Sequence, residues 1–289
     1  MKVSGFTFLR NAHMLGYPFI ESIKSCLPLC DEFIVNIGES EDDTLEMVKA
    51  IDDPRIRIIY SHWNEKMSIR GYVYAQQTNI ALFNCSGDWA LYIQGDEAIH
   101  EDDIPKIRES MSANLDDERV EALVFDYIHI YGNHKTYAWS PAWYRRECRI
   151  IRNNRRVFFP SDGQFFVVFT SNRKARYPMA AHSNARIFHY GWVRSEEQMD
   201  EKLKKVVKYW GGSHSKKIDY AQIDQKVLRE FTETHPEIMK NWLPKDDAPV
   251  FRADPEHILT GREKKHRLVM KLENLLGLDM SKKHFRLIK

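Results

Sequence analysis

Two neighbouring carboxylates follow an apolar run in the first third of the chain. The run extends from Trp89 to Ile93, and Asp96 and Glu97 come shortly after it. Carboxylates at the end of a strand can bind Mg²⁺ or Mn²⁺, and such a cation neutralises the negative charge that develops on a departing phosphate group. Gly95, just before the pair, allows a ligand to approach the backbone closely. The competing interpretation is that Asp96 caps the helix that follows.

Polar side chains also follow the first two apolar runs of the chain. Arg10 and Asn11 follow the run from Val3 to Leu9, and the segment 39–44 follows the run from Phe33 to Ile37. Helical patterns separate these runs, and strands that alternate with helices in this way predict βαβ units and a mostly parallel sheet. Because ligands bind beyond the carboxyl ends of the strands in such sheets, we expect the three polar clusters to line one cleft.

The hydrophobic periodicity predicts an α/β chain whose pattern changes near residue 100. Strands are predicted over 3–9, 33–37, 55–60 and 89–93, and helices over 17–27, 44–51 and 75–83. Further strands, predicted over 122–130, 149–152, 165–170 and 186–189, are separated by loops and complete the sheet. From residue 196 onward the pattern is largely helical, over 196–210, 219–231 and 264–276.

The bulk composition excludes several classes of protein. Of 289 residues, 43% are hydrophobic and 29% are charged, as in an ordinary folded globular protein. A net charge of +2 gives no overall field that would attract nucleic acid. The four cysteines lack metal-site spacing and are expected to be free thiols in a reducing cytoplasm. No apolar stretch has the length or flanks expected of a membrane span or a signal peptide.

Several motifs, taken in their order and spacing, resemble those of a known enzyme family. They are Phe6 to Asn11, Asp31 to Val35 with Ser40 to Thr44, Asn79 to Leu82 with Gly87 to Trp89, Gln94 to Glu97, Trp143 to Asn153 and Ile187 to Val193. Together they look like family-2 glycosyltransferases of the GT-A fold, and the last two look like motifs of a bacterial branch of that family. The resemblance covers roughly residues 3–210. We therefore expect a GT-A catalytic domain over 1–195, with a nucleotide-binding half (1–100) and an acceptor-binding half (101–195), and a helical C-terminal extension over 196–289.

The resemblance implies that a sugar passes from a nucleotide-sugar to a saccharide or lipid-linked hydroxyl with inversion at the anomeric carbon, and we expect the donor to be a UDP-sugar. The family binds a divalent cation, Mn²⁺ or Mg²⁺, through a D-x-D motif after the fourth strand. Here the motif reads Gln94-Gly95-Asp96, so the first carboxylate is missing. Asp96 matches the metal-binding acid, and Glu97 either binds the cation or supports it. His189 is a candidate to complete the metal shell or bind the diphosphate; the alternative is a structural histidine.

The resemblance also places a nucleotide pocket at the strand ends of the first half. The candidate residues are Arg10, Asn11, Glu39, Asp43, Gln94 and Gly95. Arg10 and Asn11 match positions that line the base and the ribose. Glu39 and Asp43 could accept hydrogen bonds from uracil or from ribose hydroxyls. The alternative, which we favour for Asp42, is that these acids cap the helix that begins near residue 44.

An inverting transfer needs one general base that takes the proton of the acceptor hydroxyl. Asp162 lies between two strand-like runs, at about the interval past Asp96 that the family leads us to expect, and it is our candidate. Ser-Asp-Gly at this point is also a good turn sequence, so ordinary turn chemistry is the alternative. Asp126 and Glu147 are the reserve candidates.

Six arginines lie between residues 145 and 156. If the strand prediction holds, Arg145 and Arg149 share one face and could bind the diphosphate or a phosphate-bearing acceptor. The alternative is a solvated outer face. Trp192 could stack on a sugar, or it could belong to the core.

Residues 262–289 combine a basic surface with an apolar stripe. A helix over 264–276 places Leu268, Val269, Leu272, Leu275 and Leu276 on one face. We favour packing of this stripe against the catalytic domain. The alternative is peripheral contact of an otherwise cytoplasmic protein with the inner face of an anionic membrane, where a lipid-linked acceptor would lie.

Two functions of other kinds stay open. A sugar nucleotidyltransferase has a similar nucleotide fold but carries a Gly-rich loop after the first strand, where this chain has a single glycine, Gly16. A non-catalytic module could bind a nucleotide or RNA through the arginine cluster, although no RNA-binding motif is visible.

Overall fold

A computed structural model of the protein describes residues 1–67, 69–153, 156–170, 174–214, 217–245 and 248–288. The helices are α1 (Phe19–Cys26), α2 (Thr44–Lys49), α3 (Tyr72–Leu82), α4 (Ile104–Ala113), α5 (Glu196–Val206) and α6 (Gly261–Leu276). The strands are β1 (Val3–Leu9), β2 (Glu32–Gly38), β3 (Ile56–Ser61), β4 (Trp89–Tyr92), β5 (Glu97–Ile99), β6 (Ala122–Tyr131), β7 (Asn133–Ala138), β8 (Arg146–Arg152), β9 (Val157–Phe158), β10 (Val167–Phe169), β11 (Ala175–Arg176), β12 (Met179–Trp192), β13 (Leu228–Glu230) and β14 (Arg286–Leu287).

Strand β1 is the centre of a parallel half-sheet. It pairs parallel with β2 on one side and with β4 on the other, and β2 pairs parallel with β3. Helix α1 packs Phe19 and Ile23 on one face of these strands, and α3 packs Ala75 and Leu82 on the other. Covered on both faces, β1 and β2 are apolar along most of their length. The predicted α/β class with a largely parallel central sheet is confirmed.

Strand β8 joins the two halves, because it pairs antiparallel with both β4 and β6. Along its main path the sheet runs β13-β7-β6-β8-β4-β1-β2-β3. Strand β12 pairs parallel with β6 and antiparallel with β5, and this second pairing sets His189 opposite Glu97. The strand predicted over 165–170 is shorter than expected and belongs to a separate small sheet with β9 and β11.

The C-terminal region is less helical than predicted. Helix α5 and the 3₁₀ turn Val207–Trp210 agree with the helix predicted over 196–210. The helix predicted over 219–231 is wrong: β13 lies there and pairs antiparallel with β7. Tyr220, Val227, Leu228 and Phe231 are buried at intervals that mimic a helix, but the open edge of β7 offers backbone hydrogen bonds that a helix would forgo.

The apolar stripe of α6 is the second departure from the prediction. Leu268, Leu272, Leu275 and Leu276 are exposed, and the buried residue of this helix is Glu273. The favoured interpretation, that the leucines pack against the catalytic domain, is therefore wrong. Within the described residues, no helix is both long enough and apolar enough to cross a membrane.

Candidate active site

A cleft of about 490 Å³ opens beyond the carboxyl ends of β1 and β4. Six of the predicted site residues line it: Arg10, Asn11, Gln94, Gly95, Asp96 and Asp162. Polar strand ends therefore meet at one edge of the sheet, as the parallel topology requires. The second wall of the cleft comes from α5 and the turn after it, through Lys204, Lys205, Lys208, Tyr209 and Trp210.

Asp96 lies at the floor of this cleft and is only 8% exposed. Its carboxylate is 3.8 Å from Nε2 of His189 and 3.8 Å from Nζ of Lys202. Burial works to raise the pKa of Asp96, but nearby positive charges, Lys202 and Arg194 among them, outweigh it and hold this pKa below its ordinary value. Asp96 is therefore ionised at neutral pH.

His189 presents a lone pair to Asp96, because a second histidine fixes its tautomer. Nε2 of His129 is 2.7 Å from the carbonyl oxygen of Tyr144 and donates to it. Burial lowers the pKa of His129 to about 3, so this ring is neutral and its Nδ1 is an acceptor. Nδ1–H of His189, 3.2 Å away, donates to it. Burial also lowers the pKa of His189, so its Nε2 is left unprotonated beside the carboxylate.

Gly191 allows these two acceptors to lie close together. A Cβ atom at this position would stand 2.7 Å from Nε2 of His189 and 3.0 Å from Oδ2 of Asp96. A carboxylate oxygen and an imidazole lone pair that face the same space form a donor set for a divalent cation. Within the part of the chain that the structure describes, no group of three or more His, Cys, Asp or Glu residues is placed to hold a metal ion.

Glu97 differs from the expectation of a metal ligand. It is fully buried, and its carboxylate accepts hydrogen bonds from Arg149 at 2.8 and 3.0 Å, from the hydroxyl of Tyr127 at 2.8 Å and from the backbone N–H of Gln94 at 3.0 Å. Both oxygens are thus directed into the interior. Glu97 fixes the turn that carries Asp96, which is a supporting role.

Arg149 likewise differs from its predicted role as a phosphate ligand. Its side chain is 0% exposed and lies over the rings of Tyr92 and Tyr127, at 5.3 and 5.2 Å. It also donates to the carbonyl oxygen of Gln164 at 2.9 Å. The charge of Arg149 is balanced by Glu97, and its contacts connect β8 with β4 and with the turn after β9.

Arg145 and Trp192 are also placed away from the cleft. Arg145 forms a two-pronged ion pair with Glu273 of α6, at 2.8 and 2.9 Å, which fixes the C-terminal segment to β8. Trp192 packs among aromatic residues that include Trp143 and Tyr220. The predictions of phosphate binding by Arg145 and sugar stacking by Trp192 find no support in this geometry.

Gln94, which stands where the family has its first carboxylate, positions the candidate base. Its side-chain amide donates to the carbonyl oxygen of Gly163 at 3.2 Å. Gly163 has a φ of 71°, a left-handed conformation that suits a glycine in this tight turn. Asp162 is thereby held at the rim of the cleft, and the indole of Trp210 approaches it across Gly71. Trp210 is 45% exposed beside the carboxylate.

The first strand end is organised by Arg10 and Asn11. Arg10 lies over the ring of Trp63 at 5.1 Å and donates to the hydroxyl of Tyr209 at 2.9 Å and to Glu65. Asn11 has a φ of 53°, and its side chain accepts from the backbone N–H of Glu41 at 2.7 Å. Both residues therefore shape the entrance of the cleft and link it to the loop after β2.

Glu39 and Asp43 do not line this cleft. The side chain of Glu39 is 77% exposed and faces His62, with 3.5 Å between its Oε1 and Nδ1 of His62. Asp43 is exposed at the start of α2 and makes no capping hydrogen bond with its side chain. Asp42 does accept from the backbone N–H of Thr44 at 3.1 Å, as expected of a cap, and Glu41 is the acid of this loop that borders the cleft.

A comparison with known sequences identifies the family. The sequence model of glycosyl transferase family 2 matches residues 17–172, more than half of the chain. This chain belongs to glycosyl transferase family 2. Its fold is of the GT-A type, as the motifs implied. None of the curated proteins compared with this glycosyltransferase matches it.

Solved structures with a similar fold include two described as S. aureus TarS. One is 15% identical with a TM-score of 0.40 and covers 71% of this glycosyltransferase, which spans 39% of that chain. A TarS 1-349 structure in complex with UDP is 14% identical, with a TM-score of 0.40. That match covers 78% of this chain and 70% of the TarS 1-349 chain. A structure of glucosyl-3-phosphoglycerate synthase from Mycobacterium tuberculosis in complex with Mg²⁺ and UDP is 22% identical, with a TM-score of 0.30. The match covers 44% of this chain and 43% of the synthase chain.

The sequence analysis missed the second wall of the glycosyltransferase cleft. The lysines of α5 and of the turn after it were assigned to a helical extension, although Lys204, Lys205 and Lys208 lie close together in the sequence and form a basic cluster. His129 carried no signal at all, because a histidine inside an apolar strand is usually a core residue. Its role follows only from the pairing of β6 with β12.

Proposed function

We propose that the protein is an inverting glycosyltransferase that uses a UDP-sugar and transfers the sugar to a hydroxyl of a saccharide or lipid-linked acceptor. The single observation that carries this proposal is the meeting of Asp96, Asp162 and the lysines of α5 in one cleft of a family-2 GT-A fold. An ionised acid, a second carboxylate at the rim and a basic wall are what a nucleoside diphosphate leaving group requires.

The donor set fits a divalent cation, Mn²⁺ or Mg²⁺. Asp96 would hold it with a carboxylate oxygen and His189 with its unprotonated Nε2, and the small Gly191 leaves the space between them open. When bound, the cation would neutralise charge that develops on the diphosphate.

The residues of the chain itself provide further recognition of the donor. Arg10 and Asn11 border the cleft beside the ring of Trp63, a setting suited to the base and ribose. Lys204 and Lys205 contribute positive charge from the opposite wall, and this charge attracts the diphosphate.

Asp162 is proposed as the general base. Its carboxylate is held by its own turn, with the backbone N–H of Gln164 donating to it at 3.1 Å, and it borders the cleft at the acceptor side. The exposed indole of Trp210 next to it offers an apolar face on which a sugar ring can stack. Asp126 and Glu147, the reserve candidates, are not among the residues that line the cleft.

A panel of nucleotides tests the proposal. Thermal stability should rise with one UDP-sugar in the presence of Mn²⁺, and Asp96→Ala should abolish the rise. A rise with nucleoside triphosphates in place of UDP-sugars would indicate a nucleotidyltransferase. RNA binding without any nucleotide response would indicate a binding module.

Four free cysteines, three of them buried, support action in the reducing cytoplasm.

The variant Asp162→Asn tests the base separately. It keeps the shape of the turn but removes proton uptake, so turnover should fall about 10²- to 10⁴-fold while UDP-sugar affinity is unchanged. Near-full turnover in this variant would place the base elsewhere.

A further inference from the structure

Helix α6 has its polar and apolar sides reversed relative to a helix that packs on a core. Its buried residue, Glu273, is 7% exposed and receives two hydrogen bonds from Arg145. One and a half turns earlier, Arg267 donates twice to the buried Asp224, with both distances 2.6 Å. Helix α6 is thus attached to the protein by ion pairs, and its position does not depend on its leucines.

The opposite side of α6 is apolar and open. Leu268 is 59% exposed, Leu272 38%, Leu275 79% and Leu276 57%. We call these four residues the leucine face. Leu278, just beyond the helix, is also 59% exposed and extends this surface. A contiguous apolar surface of this kind marks a place where a protein binds something else.

Two lysines border the leucine face on one side, and a third lies within its arc. At 100° per residue, Lys264 and Lys271 lie about 40–60° to one side of Leu268, and Lys265 about 60° to the other. All three are exposed. Two copies of this helix packed face to face would bring six lysines together, which like-charge repulsion disfavours. An anionic lipid surface instead satisfies the leucines and the lysines at the same time.

We propose that the leucine face of α6 is a docking surface for an anionic phospholipid membrane. The helix spans 16 residues, about 24 Å at 1.5 Å per residue, and lies in the plane of the interface with its leucines among the acyl chains and its lysines at the headgroups. The ion pairs of Glu273 and Arg267 keep the rest of the protein on the aqueous side.

Two contacts connect α6 and the segment after it to the wall of the cleft. Arg145, which holds α6, directly follows Tyr144 in the cleft wall. His284, from the segment after α6, stacks on Phe165 with 4.1 Å between ring centroids, next to Gln164 of the same wall. These contacts favour a membrane-borne hydroxyl as the acceptor; this last step alone rests on the proposed transferase function.

Vesicle sedimentation tests the docking surface. The full chain should sediment with phosphatidylcholine vesicles that contain phosphatidylglycerol, much less with pure phosphatidylcholine, and less at high salt. The double variant Leu272→Gln/Leu275→Gln should weaken the binding about tenfold or more. Lys264→Glu/Lys271→Glu should remove the preference for anionic vesicles. Phe83→Gln, which removes another exposed apolar side chain, is the matched control and should bind as the wild type does.

Three results would overturn this docking surface. They are a wild type that sediments with neither vesicle, a leucine variant that binds like the wild type, and a concentration-dependent dimer in light scattering that the leucine variant abolishes. The last result would assign the face to a second copy of the chain. The thermal shift with UDP and Mn²⁺ is measured on the same samples. If the wild type binds vesicles but shows no thermal shift with UDP and Mn²⁺, the transferase function is rejected and the docking surface is retained.

Discussion

The arginines of β8 and the lysines of α5 are two basic clusters that differ in direction: among the described residues, the lysines face the cleft and the arginines do not. The arginines of β8 are turned inward: Arg149 is paired with Glu97, and Arg152 donates to four backbone carbonyl oxygens near the end of α4. The lysines of α5 line the cleft, with Lys204 and Lys205 exposed. In the sequence the arginines form the denser cluster, yet the lysines supply the positive field that a diphosphate would meet.

The difference follows from the chemistry of the two cations. A guanidinium is planar, weakly hydrated and has five donors in fixed directions, so it can be satisfied inside a protein by carboxylates and carbonyl oxygens. An ammonium is strongly hydrated and stays at the surface unless it is paired. Strand β8 lies between β4 and β6 and is covered on both faces, so its arginines had to find partners in the interior.

The largest expected effect comes from breaking the buried ion pair between Arg149 and Glu97. Arg149→Met leaves the buried carboxylate of Glu97 without its counter-charge, and the free energy of unfolding at neutral pH should fall by about 3–5 kcal/mol. Urea unfolding measures it. The double variant Glu97→Gln/Arg149→Met should recover a large part of the loss, because the stranded charge is gone. A loss below about 1 kcal/mol in the single variant would mean that the interior pair is not formed.

The next effect lies at the boundary of the two regions, where His129 in the interior contacts His189 behind Asp96. The pKa of His129 is about 3 in the folded protein and about 6.5 in the unfolded chain. Below about pH 6.5 His129 binds a proton in the unfolded chain but not in the folded protein. The free energy of unfolding therefore falls by about 1.4 kcal/mol per pH unit, down to the pKa of His129 in the folded protein.

Unfolding measured at several pH values between about 6.5 and about 4 tests this expectation. His129→Gln keeps a donor for the carbonyl oxygen of Tyr144 but cannot be protonated. The slope of the free energy of unfolding against pH should therefore be smaller in this variant, by the contribution of one proton. An unchanged slope would show that His129 is protonated in the folded protein, and the tautomer assigned to His189 would then be lost as well.

A smaller effect is expected from the cleft-facing cluster. Lys204→Gln/Lys205→Gln should weaken UDP binding about tenfold and flatten its salt dependence, with unfolding changed by less than about 0.5 kcal/mol. Lys240→Gln is the matched control, since Lys240, like Lys204, pairs with a glutamate three residues earlier. Equal UDP affinity in both variants would remove the lysines of α5 from the site.

The first half of the fold could be predicted because its signals are local. Apolar runs, the helices between them and the polar ends at Arg10 and Asp96 are all close in sequence, and a parallel sheet has one edge where such ends meet. The second wall could not be predicted, because it depends on where α5 docks. The direction of Arg149 depends on a partner 52 residues away, and the lone pair of His189 depends on the register of β6 with β12.

Two misleading patterns explain the other errors. Buried residues from Tyr220 to Phe231 repeat at helical spacing, yet residues 228–230 pair with the edge of β7 as a strand. The stripe on α6 has the right period for packing on a core, but period alone does not say which side of a helix meets the protein. Glu273 and its ion pair with Arg145 decide that, and an isolated acid gives no such signal in a sequence.

The central claim is that Asp96, with Nε2 of His189, holds a cation against the diphosphate of the donor. Calorimetric titration with UDP, in Mn²⁺ and in a chelator, tests it most directly in the wild type and in Asp96→Asn. We predict that Mn²⁺ strengthens UDP binding by at least about tenfold in the wild type, roughly 1.4 kcal/mol, and has no effect in the variant. Equal UDP affinity with Mn²⁺ and with chelator in the wild type, or an unchanged Mn²⁺ effect in Asp96→Asn, would contradict the account.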